Sequence, residues 1–284
     1  MRLVDTHSHI HDAEFARDRA DADAAIERAR AAGVTLIATL GVDRADSEAA
    51  VAFAERHPDA VVAAAGVHPH AAKDASDVDL DALEALARHP RVALVGEIGM
   101  DLYRNLSPRD QQLRVLRRQL DTARRVSKPI AVHAREAHDE VMPVLAAWSH
   151  EMGGRLPDGR PLGVLHYFSA DAGRARTYVA LGFVISVHTS VTHPKATQLA
   201  GVVRDTPLEH LVLETDSPYG APQRYRGTRN EPAYVAEAAA RVAEIKCISI
   251  EEVAETTTRN AERLLGAGTM YESTALQTAR HARD

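Results

Sequence analysis

The sequence predicts an α/β chain folded as a (β/α)8 TIM barrel. Two observations carry that expectation. Eight short apolar runs rich in Val, Leu, Ile and Ala each alternate with a stretch of helical spacing. Continuous apolar strands of this kind are those covered on both faces, as in a parallel sheet wrapped by helices. In addition, histidines and carboxylates follow several of the runs, at the strand ends where such barrels carry their chemistry. Eight strand–helix pairs suit a closed barrel better than an open doubly wound sheet.

In chain order, the first run is Arg2–Asp5, and a helix is expected over Arg19–Ala32, stopped by Gly33. Val34–Leu40 is followed by a helix over Asp46–Arg56, Val61–Val67 by Leu80–Arg88, and Val92–Glu97 by Ser107–Val126. Pro129–His133 precedes a helix over Glu136–Ser149. The Gly- and Pro-containing segment Met152–Pro161 then belongs at the barrel end away from the chemistry. Leu162–His166 leads to Ala172–Leu181, which Gly182 ends before Phe183–Val187. Helices over Pro194–Val203 and Glu231–Glu244 flank the last run, Leu211–Glu214, and Ile250–Leu264 closes the barrel. One barrel domain over residues 1–265 is expected, with a polar, mobile tail over 266–284.

The 284 residues are 45% hydrophobic and carry 34 basic against 40 acidic side chains, a net charge of −6. This composition supports a large core. It excludes a disordered chain and a wholly basic nucleic-acid-binding surface, but not a local basic patch. No apolar run approaches the roughly 18 residues that span a membrane. Cys247 is the single cysteine, so an internal disulfide framework and a cysteine-rich zinc module are excluded. The chain does not open on a basic segment followed by an apolar stretch. The expected location is cytoplasmic, with no membrane association and no obligate protein partner.

The strand ends hold the chemistry. His7 and His9 follow the first run two residues apart, on one strand face. Glu97 ends the fourth run, His133 the fifth and His166 the sixth, and Asp216 follows the eighth. Four imidazoles and two carboxylates at one mouth suit Zn, Mn, Fe or Co, and Mg less well. Six donors exceed the three or four that one tetrahedral zinc takes. Two divalent ions sharing a carboxylate would use the surplus. His57, His89, His138, His150, His210 and His281 are expected to be ordinary core or surface histidines.

Two divalent ions roughly 3.5–4 Å apart clamp a phosphodiester and activate the attacking water. Asp216 is the candidate to hold that water and take its proton. His68, after the third run, is placed to hydrogen-bond a phosphate oxygen. The loop from Tyr219 to Asn230 brings arginines and tyrosines to the same mouth. Arginine grips phosphate in a bidentate fork, and tyrosine stacks on unpaired bases. Arg224 and Arg226, with Arg104 beyond Glu97, are the candidate substrate-binding residues. Arg229 and Asn230 are equally suited to tying the loop to the barrel.

Seven segments in order resemble the TatD-family metal-dependent hydrolases, of which TatD-type deoxyribonucleases are members. They are Asp5-Thr6-His7-Ser8-His9, Gly66-Val67-His68-Pro69-His70, Gly96-Glu97-Ile98-Gly99-Met100-Asp101, Pro129-Ile130-Ala131-Val132-His133, His166-Tyr167-Phe168-Ser169, Leu213-Glu214-Thr215-Asp216-Ser217-Pro218-Tyr219 and Arg229-Asn230-Glu231-Pro232. The resemblance implies an amidohydrolase-like barrel with His7, His9 and Asp216 on one divalent ion, His133 and His166 on the other, and Glu97 between them. It implies phosphodiester hydrolysis of DNA, as a 3′–5′ exonuclease on single strands. Ser8 and Tyr167 stand where family members often have cysteine, and Ala170 where they often have glycine. The aromatic at Tyr103 is shifted by one residue. Every ligand position is kept, so these departures fall on the substrate pocket.

The same barrel also suits a metal-dependent ester or amide hydrolase, such as an aminoacyl-tRNA deacylase or a lactonase, because an activated water attacks a carbonyl carbon equally well. Barrels of that kind often bridge their ions with a carboxylated lysine at a strand end. Lys128 precedes its strand, which leaves Glu97 to bridge. A non-catalytic metal module fits least, since structural sites are closed and four-coordinate.

Overall fold

A computed structural model describes residues 1–12, 15 and 19–266. The tail expected over 266–284 lies, beyond Gly266, outside the described residues. The strands are β1 (Leu3–Ser8), β2 (Val34–Leu40), β3 (Val61–Ala65), β4 (Val92–Asp101), β5 (Ile130–Arg135), β6 (Gly163–Leu165), β7 (Phe183–His188) and β8 (Leu211–Glu214). All neighbours pair in parallel, and the spatial order is the sequence order. The helices are α1 (Arg19–Ala31), α2 (Arg44–Arg56), α3 (Asp77–Leu86), α4 (Arg109–Val126), α5 (His138–Met152), α6 (Ala172–Ala180), α7 (Thr197–Asp205), α8 (Val235–Lys246) and α9 (Ile250–Leu265). The chain forms the (β/α)8 barrel expected from its sequence.

Strand alternation divides the core in two. Inward residues such as Leu36, Ala38, Val62, Leu94, Ala131 and Val212 fill the barrel. Outward ones such as Ile37, Val61, Ile130 and Leu165 pack under the helices. Ala261, Leu264 and Leu265 of α9 join the interior set. The same helix bonds the starts of two strands. Thr258 Oγ1 donates to Arg2 O at 2.8 Å, and Asn260 Nδ2 donates to Leu211 O at 2.8 Å. Helix α9 therefore plugs the N-terminal end of the barrel and leaves the C-terminal end as the mouth. The 152–161 segment lies at the plugged end, where Arg160 reaches Leu264 O at 3.5 Å and Ser127 O at 3.3 Å.

The barrel closes between β8 and β1 beyond the end of β8. Asp216 N donates to His7 O at 2.8 Å and His9 N to Ser217 O at 2.7 Å. Below this seam, the buried Asp5 carboxyl accepts from Thr215 N at 2.9 Å and Thr215 Oγ1 at 2.6 Å. Two strands run further than their apolar runs. β1 continues from Asp5 to Ser8 with a register shift against β2, and β4 continues from Glu97 to Asp101 beside β5. Backbone pairing carries both strands on where the side chains turn polar. β6 stops at Leu165, one residue before His166. Helix α7 begins at Thr197 rather than Pro194. Glu231 precedes a 3₁₀ turn (Pro232–Tyr234) that leads into α8. Among the described residues no helix is long and apolar enough to cross a membrane.

The seam yields a stability test. Asp5→Ala removes both acceptors from buried Thr215, and is expected to cost about 3 kcal/mol, or roughly 5–10 °C in Tm by circular dichroism. Asp5→Asn keeps an acceptor for Thr215 N and is expected to lose less than half as much. Equal losses would show that Asp5 acts by bulk alone.

Candidate metal centre

Strand geometry delivers the donors to the mouth. On β5, Ala131 faces the interior, and two residues on His133 takes the same side at the mouth. The same step runs from Val164 to His166 and from Val212 to Glu214. Gly99 lets β4 lie close against β5. A Cβ there would sit 1.9 Å from His133 O, and its φ of +144° belongs to glycine.

Glu97 is the hub. It is 3% exposed. Its Oε2 lies 3.2 Å from His7 Nε2 and 3.7 Å from His9 Nε2. Its Oε1 lies 2.8 Å from His133 Nδ1 and 3.5 Å from both His166 Nε2 and His68 Nε2. Asp216 Oδ1 stands 3.5 Å from His9 Nε2, 3.7 Å from His7 Nε2 and 3.9 Å from His166 Nε2. All six residues singled out as metal donors therefore meet around one carboxylate.

The hydrogen bonds fit a divalent ion at this cluster. His9 Nδ1 donates to Leu40 O at 2.8 Å. A carbonyl only accepts, so the neutral ring presents a lone pair at Nε2, toward Glu97 and Asp216. His166 Nδ1 is held by Glu214 Oε2 at 3.1 Å, which leaves its Nε2 toward the centre. Outer carboxylate or carbonyl partners of this kind orient metal-binding histidines. Both ring nitrogens of His7 are buried, and apart from the 3.2 Å approach of Glu97 Oε2 to Nε2 neither has a hydrogen-bond partner among the described residues. That is costly unless an ion is the missing partner. Three donor groups lie close enough to hold an ion: His7, His9 and Glu97; His7, His166 and Glu214; and His68, Glu97 and His133.

His68 differs from the other imidazoles. Its Nδ1 accepts from His70 N at 3.1 Å, so the neutral ring carries its hydrogen on Nε2. Burial pushes its pKa down to about 4, against the Glu97 charge. At neutral pH it is an uncharged donor aimed into the centre.

Burial lowers His7 as well, while four neighbouring groups hold their charge against it. Burial pulls His9 down, yet Asp216 and Glu97 hold it at about 9. Burial likewise opposes the Glu214, Glu97 and Asp216 charges that hold His166 at about 10. Burial would raise Glu97, but His68, His166 and His7 keep it well below the usual carboxylate range. Asp216 is depressed too, by His166 and His9, in spite of burial.

Two carboxylates were quoted in the sequence motifs without a role. Asp101 Oδ2 lies 3.2 Å from His133 Nε2 and 2.8 Å from His70 Nε2. Glu214 holds His166, and its Oε1 accepts from Tyr167 N at 2.6 Å. The available signal was an acid in the same motif as a ligand. His188 at the end of β7 belongs to none of the sequence motifs. It is buried and stacks on Tyr167 with ring centroids 3.8 Å apart. Tyr167, standing where cysteine is common, thus builds a wall of the mouth.

Of the candidate substrate residues, His68 lies within the centre, 3.5 Å from Glu97 and 3.3 Å from His133, while none of the arginines pairs with the six donors among the described residues. Arg224 is 3.5 Å from Glu237 and lies over the Tyr225 ring. Arg226 and Arg104 are exposed. Arg229 binds Asp21 at 2.6 Å and Glu231 at 3.0 Å, and Asn230 Nδ2 donates to Thr215 O at 2.6 Å. These last two tie the loop to the barrel. His57, His89 and His138 pair with Asp23, Glu55 and Tyr178, apart from the centre. His281 lies outside the described residues.

Comparison with known proteins adds to this geometry. The family model described as TatD related DNase matches residues 4–266. YabD of Bacillus subtilis, named an uncharacterized metal-dependent hydrolase, is 36% identical over 262 residues, covering 92% of this chain and 98% of its own. A protein of Erwinia tasmaniensis named 3′-5′ ssDNA/RNA exonuclease TatD is 32% identical over 267 residues, covering 92% and 99%. The crystal structure of YJJV, a TatD homolog from Escherichia coli K12, superposes with a TM-score of 0.84 at 31% identity, covering 93% and 98%.

Ion binding at this centre must displace protons. His9 and His166 hold theirs up to about 9 and 10, and a ligand imidazole must be free of its proton at the binding nitrogen. Apparent affinity for a divalent ion is expected to rise about tenfold per pH unit per displaced proton between pH 6 and 8, with proton release seen by calorimetry in two buffers. Raised pKa values mean that the charged forms stabilise the metal-free fold. That contribution is full below about 6.5 and is lost as pH rises through about 9 and 10. The chelated protein is therefore expected to lose Tm from pH 7 to 10 while the loaded protein does not. Affinity independent of pH would contradict this assignment.

Proposed function

The chain belongs to the TatD-related DNase family of metal-dependent hydrolases, and from that premise we propose that it hydrolyses phosphodiester bonds, as a 3′–5′ exonuclease on single-stranded DNA. The observation that carries this reading is the division of Glu97 between two donor groups, with Oε2 toward His7 and His9 and Oε1 toward His133 and His166. A carboxylate so placed is suited to sit between two cations. His7, His9 and Asp216 would hold one divalent ion, His133 and His166 the other, and Glu97 both. Zn, Mn, Mg, Co or Fe would serve. When bound, such a pair polarises the phosphodiester, strengthens the attacking water and stabilises the leaving oxygen.

The protein's own groups do the rest. Asp216 has a side chain 15% exposed, against 3% for Glu97, so it reaches the mouth and can orient the water and take its proton. His68 offers its Nε2–H to a phosphate oxygen. Asp101 and Glu214 keep the rings of His133 and His166 in place. Exposed Tyr219 gives an unpaired base a surface to stack on. Arg104, Arg224 and Arg226 supply positive charge along the rim. The relative named an exonuclease on single-stranded DNA and RNA supports the same substrate class.

The test strips the protein with chelator, restores Mg, Mn, Co or Zn, and supplies end-labelled single-stranded DNA. Aminoacyl-tRNA and simple ester and lactone substrates run in parallel. Stepwise loss of 3′ nucleotides is expected. Asp216→Asn should keep its circular dichroism spectrum and lose about 10²–10⁴-fold in turnover. Intact DNA beside a cleaved ester or aminoacyl bond would overturn the nuclease reading in favour of carbonyl chemistry.

A further inference from the structure

We propose that Arg135, seated on the ring of Tyr103, is the anchor for a substrate phosphate beside the centre. The proposal rests on the phosphodiester reading above and names a residue that binds that substrate. Arg135 is the last residue of β5 and the third in the inward column Ala131, His133, Arg135. It therefore follows His133 on the side facing the mouth.

The state of the guanidinium is what singles it out. Two arginines of the 219–230 loop are committed, Arg224 to Glu237 and Arg229 to Asp21 and Glu231. Arg135 has no carboxylate partner among the described residues. The acid beside it in register is Asp101. That carboxylate is turned away, to His70 and His133 through Oδ2 and to Arg104 N through Oδ1. What holds Arg135 is Tyr103, whose ring centroid lies 4.1 Å from the guanidinium carbon. Tyr103 is itself 58% exposed. Cation–π stacking fixes the plane of the guanidinium and leaves its N–H edge free. That edge matches two phosphate oxygens, and holding it in advance reduces the ordering needed on binding.

The experiment uses the metal-loaded enzyme and a labelled single-stranded oligonucleotide, with Arg135→Ala, Arg135→Lys and Tyr103→Leu. Arg135→Ala is expected to raise KM about 10- to 100-fold, as loss of a charged hydrogen-bonding pair does, with kcat changed less than about threefold. Arg135→Lys keeps the charge but not the fork, and should recover only part of KM. Tyr103→Leu should raise KM by less than Arg135→Ala. Oligonucleotide binding to the chelated protein should lose about 0.7 from its log–log salt slope in Arg135→Ala, one phosphate contact on a single strand. Metal content and Tm should stay at wild-type values. DNA cleaved by the wild type with KM and salt slope unchanged in Arg135→Ala would overturn the anchor alone. So would a loss of bound metal in that variant that accounts for its defect. A wild type that neither binds nor cleaves the oligonucleotide would overturn the phosphodiester reading and the anchor together.

Discussion

A buried carboxylate ringed by imidazoles governs this molecule. Glu97 is shut away from water, where an ionised group survives only if it is paired. Its partners are His7 and His9 on one oxygen and His133, His166 and His68 on the other. Without an ion, protons on His9, His133 and His166 do the pairing, which is why His9 and His166 keep theirs so far above the ordinary imidazole range. The same oxygens and nitrogens suit divalent cations. The rest of the architecture serves this meeting point. Helix α9 plugs the far end, so the strands open in one direction. The Asp5–Thr215 seam brings His7, His9 and Asp216, from opposite ends of the sequence, to within 4 Å of Glu97 or of one another.

The parts legible in the sequence were those that end an apolar run. His133, His166 and Glu97 each close a hydrophobic stretch, and that pattern survives without any knowledge of neighbours. The extension of β1 and β4 was not legible, because pairing beyond the apolar run depends on the adjacent strand. Asp101 and Glu214 were visible as letters but not as partners, since their role lies in the outer nitrogen of a ring on another strand. The 219–230 loop attracted notice through its arginine density. Pairing with Asp21, Glu231 and Glu237 then proved to occupy two of its three arginines. Arg135 shows the converse. Nothing in its local sequence marks it, and only the turned-away Asp101 and the ring of Tyr103 reveal that its charge is unmatched.

On the proposed phosphodiester reading, this separation also reconciles an acidic chain with an anionic substrate. A net charge of −6 is spread over a surface on which many basic side chains are paired, and long-range interaction is screened within about 8 Å at physiological salt. Recognition of such a substrate would then depend on a few unmatched charges at the mouth and on cations bound at the centre. A centre of this kind can direct water at phosphorus or at a carbonyl carbon. On the reading proposed above, the walls would choose between them: Tyr167 against His188, exposed Tyr219, and the Arg135–Tyr103 pair.

The most direct measurement of the central claim is metal stoichiometry in wild type and Glu97→Ala, read by elemental analysis after equilibrium dialysis against Zn or Mn at neutral pH. A carboxylate shared by both donor groups predicts two ions per wild-type chain and the loss of both in the variant, with the barrel's circular dichroism retained. Loss of a single ion, or two ions still bound, would contradict Glu97 as the bridge.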